Sequence, residues 1–355
     1  MFQSKRYLQK ISRVRIPENR DLINGLRLDR NEKVSDWEKN IFQKIFNKLP
    51  SYFLSIYPDH SSIYRKISKF DKVNEENILI TSGIDGGIKS IFECAINPGD
   101  TVGVVYPTYA MYQVYSKIFN VKLFKIDYTE NLKFNFKKFD IFLKKNPKVF
   151  FLPNPNQPIE SCFQLKDLEK IAKKLKKINC IFFIDEAYFL FGSKSAVKIF
   201  KKYNNIIVAR TFSKGFGVPS IRLGYLVANK KIIDIVSKTR FAHETNSLST
   251  TVAEYLLDNF NLVKRYNLSI IKSRLRLKKE LKKIDINSFG KYGNYLLIDL
   301  RNNQDASRIV KKLKLKKIYT KGPWKGKFDK YITISLGPFP QMKKFLISLK
   351  KLLQK

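Results

Sequence analysis

The chain is poor in sulfur, in acid and in long apolar runs. Only three cysteines occur in 355 residues, Cys94, Cys162 and Cys180, and their spacing fits neither a disulfide framework nor a metal knuckle. That excludes a disulfide-stapled scaffold and predicts a reducing compartment, the cytoplasm, with no bound metal. No stretch approaches the roughly 18 consecutive apolar residues that a spanning helix needs, so no membrane association is expected. The first twenty residues hold basic side chains without an apolar run behind them and do not read as a secretory signal. Internal repeats and disordered linkers are absent. Acidic residues number 30 against 69 basic ones, a formal net charge of +39.

A hydrophobic share of 44% with 14% aromatics is ample for a folded core. At about 150 residues per domain, this length predicts two domains. The positive charge is compatible with a nucleic acid or an anionic surface as partner. Its composition points elsewhere. Lys outnumbers Arg by more than three to one, and Ile, Phe, Asn and Tyr are also abundant, all residues that AT-rich coding favours. Lys166, Lys170, Lys173, Lys174, Lys176 and Lys177 surround Leu168, Ile171 and Leu175 at helical spacing, as a solvated helix face does. The expectation is therefore no specific nucleic-acid partner. A basic nucleic-acid-binding protein on a relict enzyme fold is the alternative that lysines clustered on one face would favour.

From about residue 77 to 240, short β-branched or aromatic runs alternate with amphipathic stretches. The runs are 78–81, 101–106, 121–126, 148–152, 180–184, 206–209 and 223–227; helical patterns at 84–96 and 165–177 separate two pairs of them. This alternation predicts an α/β fold with a mostly parallel, doubly covered sheet. The last two runs are too close for a crossover helix and are expected to pair antiparallel. After about residue 245 the pattern becomes long helical segments over 253–284, strands at 295–300 and 331–335, a helix near 306–313 and a terminal helix from Gln341, a smaller α+β unit. The segment 285–292 reads as a loop. The division expected is an N-terminal arm and helix over 1–50, packing with the small unit, a large domain over 51–245 and the small C-terminal domain over 246–355.

Five segments could carry chemistry. In ARTFSKGFGVPSIRLGY, Lys214 follows a strand in a Ser- and Gly-rich loop, with Arg222 eight residues on. A sheltered lysine amine can condense with an aldehyde, and Ser213 with Arg222 can hold a phosphate; a solvent-facing lysine would read the same way. In IFFIDEAYFLF, Asp185 ends an apolar strand, at the edge where open α/β sheets bind ligands. It could pair with a protonated ring nitrogen, or cap the next helix. In TSGIDGGI, a Gly turn at a helix start offers the Ile84 and Asp85 amides to an anion, or is an ordinary cap. Tyr109, in YPTYAMY, could lie over a heteroaromatic ring or pack in the core. The Pro/Asn-rich turn FLPNPNQPIE could bring an amide side chain to the ligand edge or simply connect.

Taken in order, these segments resemble the fold-type-I pyridoxal-phosphate aminotransferases, class I/II, and within them the histidinol-phosphate aminotransferase-like branch. The likeness runs from about Leu28 to the C-terminus and includes LDRNE at 28–32 and YPD at 57–59. It implies a three-layer large domain, a smaller α+β domain, pyridoxal 5'-phosphate as cofactor and a homodimer. An amino donor and a keto or aldehyde acceptor would be the substrates. Lys214 would be the Schiff-base lysine and proton shuttle, Asp185 the partner of the pyridine nitrogen, and Tyr188 a contact of the ring's phenolic oxygen. Tyr109 would stack on the ring. The Ile84 and Asp85 amides, Thr211, Ser213, Arg222 and, across the dimer, Tyr57 would hold the phosphate. A decarboxylase of the same fold would use the same lysine and aspartate.

Two departures from that branch stand out. Where it writes Asn-Pro-Thr-Gly, this chain has Gln157-Pro158-Ile159-Glu160, so Gln157 keeps an amide on a longer arm. Where it places an arginine for the substrate carboxylate, in Arg-Ile-Ser/Thr-Val-Gly, this chain has Thr333. A hydroxyl cannot replace a bidentate guanidinium. Altered carboxylate recognition is expected, with Arg27, Arg30 or Arg240 as the relocated cation; a substrate without that carboxylate and weakened catalysis are the alternatives. Asn31, His243 and Thr333 are the candidate substrate residues.

Overall fold

The computed structural model describes residues 5–11 and 20–354. Its centre is a seven-stranded sheet. Across the sheet the strands run Ile78–Thr81, Gly224–Ala228, Ile206–Thr211, Ile181–Asp185, Val149–Pro153, Thr101–Tyr106 and Lys122–Asp127. The last five pair parallel, while Gly224–Ala228 runs antiparallel to both of its neighbours. The expected mostly parallel sheet with one antiparallel junction is therefore what forms, each strand within two residues of the sequence reading.

The middle strands are apolar until their carboxyl ends because both faces are covered; Asp185, Arg210 and Thr211 are the exceptions, at those ends. Phe150, Leu152, Phe182, Ile184, Ile206 and Val208 join one buried cluster. Their neighbours Val149, Phe151, Phe183, Ile207 and Ala209 join another, with Ile88, Ile91 and Phe92 of helix Gly83–Ala95. That is a three-layer packing. The parallel crossovers bring the strand ends Tyr106, Pro153, Asp185 and Thr211 to one edge, and Thr81 ends there too.

The C-terminal part packs helices Phe260–Lys282, Asn303–Leu315 and Phe339–Leu353 on the antiparallel strands Tyr295–Asp299 and Tyr331–Ser335, around Leu277, Ile298, Ile332 and Phe345. The long helical stretch is two helices, Ser247–Asp258 and Phe260–Lys282, separated at Asn259. Two short pairings differ from the sequence reading. Ser288–Phe289, read as loop, is a strand paired antiparallel with Leu297 and Ile298. In the first fifty residues, read without a strand, Leu26–Leu28 pairs parallel with Ile318–Thr320. Two or three residues are too few to show a period of two, and the second pairing spans almost the whole chain. Among the described residues no helix is long and apolar enough to cross a membrane, and no cluster of His, Cys, Asp or Glu is placed to hold a metal.

Candidate active site

A cavity of about 730 Å³ opens at the carboxyl ends of the parallel strands. This is where such sheets bind ligands, because successive loops converge there while the strands stay rigid. Strand Ile206–Thr211 delivers Lys214 three residues past its end. The Lys214 Nζ donates to the Arg30 carbonyl at 2.7 Å, and Trp37 Nε1 pins the loop by donating to Gly217 O at 3.0 Å. Burial pushes the Lys214 ammonium down to about 8, helped by the charges of Lys321 and Arg222 and opposed by Glu32 and Asp85. A far larger share of such an amine is neutral near pH 7 than of an ordinary lysine.

Asp185 ends its strand with 5% of its surface exposed. Tyr112 Oη donates to one carboxylate oxygen at 2.8 Å and the Ala187 N–H to the other at 3.0 Å. Burial raises its pKa to about 6, and the Asp85 and Glu186 carboxylates push the same way against those two hydrogen bonds. A cation placed beside Asp185 would restore the fully ionised form. Behind it, Arg210 donates to Glu186 at 3.1 Å and ion-pairs with Asp71, which accepts from Tyr225 Oη at 3.0 Å. All three charged groups are nearly inaccessible. Residue 186 follows Asp185 and residue 210 precedes Thr211, so this buried set fixes two strand ends of the cavity to each other.

The anion end is built on the first turn of helix Gly83–Ala95, whose leading N–H groups have no partner within the helix. Gly83 has φ +67°, and a Cβ there would come within 3.0 Å of Arg222 Nη2; glycine is what lets the guanidinium lie against the turn. Arg222 Nη1 is 3.5 Å from Ser213 Oγ, and Thr211 Oγ1 donates to that same Oγ at 3.0 Å. Asp85 accepts from Arg222 at 3.4 Å and from Tyr109 Oη at 2.8 Å. On the opposite side, Tyr188 Oη accepts from Asn31 Nδ2 at 2.8 Å. The Gln157 Nε2 is buried in the cavity wall with no hydrogen-bond partner among the described residues. A donor left so is costly unless something accepts from it, and an oxygen on a bound ring would. The set therefore fits a phosphorylated pyridine aldehyde: amine, carboxylate, orphan amide donor and a cationic helix turn face one space.

Lys214, Asp185, Tyr188, Ile84, Asp85, Tyr109, Gln157, Thr211, Ser213, Arg222 and Asn31 all line this cavity. Tyr57, His243 and Thr333 do not. Tyr57 is 81% exposed and stacks on His243, ring centroids 4.6 Å apart and planes 7° from parallel. Thr333 is buried, its Oγ1 accepting from Trp324 Nε1 at 2.9 Å. Of the three candidate cations only Arg30 reaches the lining; Arg27 pairs with Asp36 at 2.8 Å. Among the lining or supporting residues not singled out from the sequence, two bear on the chemistry. Tyr112 lies one helical turn after Tyr109, a spacing that could have flagged it. Lys321 lines the cavity and pairs with Thr333 across an antiparallel bridge, which no local pattern announces.

Residues 24–323 match the family model of the aminotransferases class I and II. The histidinol-phosphate aminotransferase of Caldanaerobacter subterraneus is 32% identical over 81% of this chain and 82% of its own length. That of Methanocaldococcus jannaschii is 30% identical over 92% of this chain and 89% of its own. Among solved structures, the histidinol-phosphate aminotransferase of Sinorhizobium meliloti, in complex with pyridoxal-5'-phosphate, superposes with a TM-score of 0.85 at 20% identity, over 92% of this chain and 90% of that one. The lysine, aspartate and anion-binding turn thus meet in a chain that belongs to the class I and II aminotransferases, a family of pyridoxal-phosphate-dependent enzymes.

Proposed function

We propose that this aminotransferase acts in the manner of the histidinol-phosphate aminotransferases but receives the substrate's anionic group on Lys321 instead of on an arginine at position 333. The observation that carries this reading is the bond from Trp324 Nε1 to Thr333 Oγ1. The indole fills the space beside Thr333 into which a longer side chain would extend. Lys321 and Thr333 exchange backbone hydrogen bonds of 3.0 and 2.7 Å, so their side chains leave the same face. The Lys321 ammonium lies 4.9 Å over the Trp324 ring and borders the cavity. Partial burial lowers its pKa, and its charge in turn contributes to lowering that of Lys214.

In this reading Lys214 holds the cofactor's aldehyde carbon, Asp185 its ring nitrogen, Tyr188 and Gln157 its phenolic oxygen and Tyr109 its ring face. The Ile84 and Asp85 amides, Thr211, Ser213 and Arg222 hold its phosphate. Pyridoxal phosphate, when bound, supplies an electron sink for the carbanion left when the substrate loses a proton. Lys214 Nζ, poised near neutrality by burial, takes up and returns that proton. Asp185 stays ionised against a ring cation. Asn31 orients the Tyr188 hydroxyl. The loop 29–32, which follows the arm strand Leu26–Leu28, lines one side of the cavity.

The same reading includes a homodimer in the cytoplasm and the three-part division at residues 51 and 246. Phe42, Phe46, Leu54, Tyr57, Phe241 and Leu248 are exposed apolar or aromatic side chains on or next to helix Ser247–Asp258 and the segments packed on it. A patch of that kind favours a partner surface, and Tyr57, which turns away from the cavity of its own chain, is free to complete the site of a second copy. The test is Lys321→Ala in the holoenzyme. Its kcat/KM should fall at least tenfold for donors that carry a carboxylate or phosphate and hold within twofold for an amine without one; equal effects on both donors would refute the assignment.

A further inference from the structure

Glu160 stands where the Asn-Pro-Thr-Gly pattern of the resembling branch ends in glycine, and it is not among the residues that line the cavity. Its carboxylate accepts from the backbone N–H of Lys291 with both oxygens at 2.8 Å and from that of Tyr292 at 2.8 Å. These amides belong to the turn 290–293 of the C-terminal unit. Gly290 at φ +134° admits that turn, and a Cβ on Gly293 would collide with the Tyr295 ring at 2.0 Å. From its other side the turn is held through its carbonyls: Arg274 donates to Gly293 O at 2.7 Å and Lys278 to Gly290 O at 3.3 Å. An anion on the N–H groups and two cations on the C=O groups fix the turn's position from opposite directions.

The turn leads into strand Tyr295–Asp299, whose Leu297 is paired with Thr333, and Thr333 is paired with Lys321. On the other side of the contact, Glu160 closes the loop 154–160 that carries Gln157. Asn156 anchors that loop to the cavity wall, donating to Pro107 O at 3.0 Å and accepting from Thr108 Oγ1 at 2.6 Å, and its carbonyl accepts from Tyr295 Oη.

We propose that Glu160 is a positioning residue: it registers the C-terminal unit against the Gln157 loop and thereby sets where Lys321 stands over the cavity. The inference rests on Lys321 being the anion-binding cation. Because Glu160 does not line the cavity and Asn156 holds the Gln157 loop by its own bonds, loss of Glu160 should alter substrate affinity and leave the chemical step intact.

The experiment is a double-mutant cycle in the holoenzyme, with amide hydrogen exchange on the same proteins. Glu160→Ala should raise KM for an anionic amino donor fivefold or more, change kcat less than twofold and speed exchange at Lys291 and Tyr292. Glu160→Gln, which keeps an acceptor oxygen, should recover most of the KM. In a Lys321→Ala background, Glu160→Ala should add less than twofold. Unchanged KM in Glu160→Ala, or the same fivefold rise in the Lys321→Ala background, would overturn the inference. Failure of the Lys321 assignment shows separately, as an unaltered KM in Lys321→Ala alone.

Discussion

Placing an arginine at position 333, where the pattern of the histidinol-phosphate aminotransferase-like branch has one, tests how the specificity end is built. Thr333 is 1% exposed and sits in the middle of strand Tyr331–Ser335, with the Trp324 indole on its hydroxyl. Thr333→Arg alone removes that hydrogen bond, a loss of about 1 kcal/mol. Forcing a longer side chain against the indole costs about 1–3 kcal/mol more. A guanidinium held there without a carboxylate partner adds about 3 kcal/mol. Together these reach the lower end of the roughly 5–15 kcal/mol that holds a typical domain, so the melting temperature should fall by about 10 °C or more. Trp324→Ala clears the space. The double variant Thr333→Arg/Trp324→Ala should therefore be more stable than Thr333→Arg, a reversal of the usual additivity of two lesions. It should also use a plain α-amino acid more efficiently than the parent. Thermal denaturation of the four proteins, with kcat/KM for glutamate, reads both. If Thr333→Arg alone melts within 2 °C of the parent, the indole does not occupy the arginine's place and the packing argument is wrong.

Three further outcomes follow from the site. Lys214→Ala should bind the cofactor without forming a borohydride-stable link to the chain; covalent tagging that persists would remove Lys214 from its role. Tyr112→Phe withdraws a hydrogen bond that favours ionised Asp185, whose pKa already stands near 6 in the cofactor-free protein. That pKa should rise, so the pH below which the cofactor-free protein loses affinity for pyridoxal phosphate should move up; an unmoved limit would show that Tyr112 does not tune Asp185. Sedimentation should give a dimer, and Tyr57→Ala should weaken cofactor binding without altering the absorbance of the bound form. An active monomer would contradict a shared site.

The parts of the fold that were legible in the sequence are those with enough residues to show a period. Strands such as Ile181–Asp185 and Ile206–Thr211 announce themselves because burial on both faces makes their first four residues wholly apolar. Their antiparallel neighbour was legible from connection length alone. The strands Leu26–Leu28 and Ser288–Phe289 were not, since each is defined by a distant partner and not by its own pattern. The site divides in the same way. Lys214, Asp185 and the Gly83 turn follow strands directly, so their place at the sheet edge could be read from sequence order. Lys321 and Tyr112 act through register and through a helix face, and Glu160 through a contact 131 residues away in sequence. The departure of Thr333 from the family pattern was legible as a residue; that the indole of Trp324, nine positions earlier, bonds to its hydroxyl is a fact of packing.

The most direct measurement mixes the purified holoenzyme with one candidate amine at a time, in the absence of any keto acid, and follows the cofactor's absorbance. An aminotransferase acting on a donor should convert the aldehyde form to the amine form in a single stoichiometric turnover, and a matching keto or aldehyde acceptor should then restore the first spectrum. Anionic donors should do this in the parent protein and fail to do so at comparable concentration in Lys321→Ala. Release of carbon dioxide with the aldehyde spectrum retained, or no spectral change with any amine, would contradict the account.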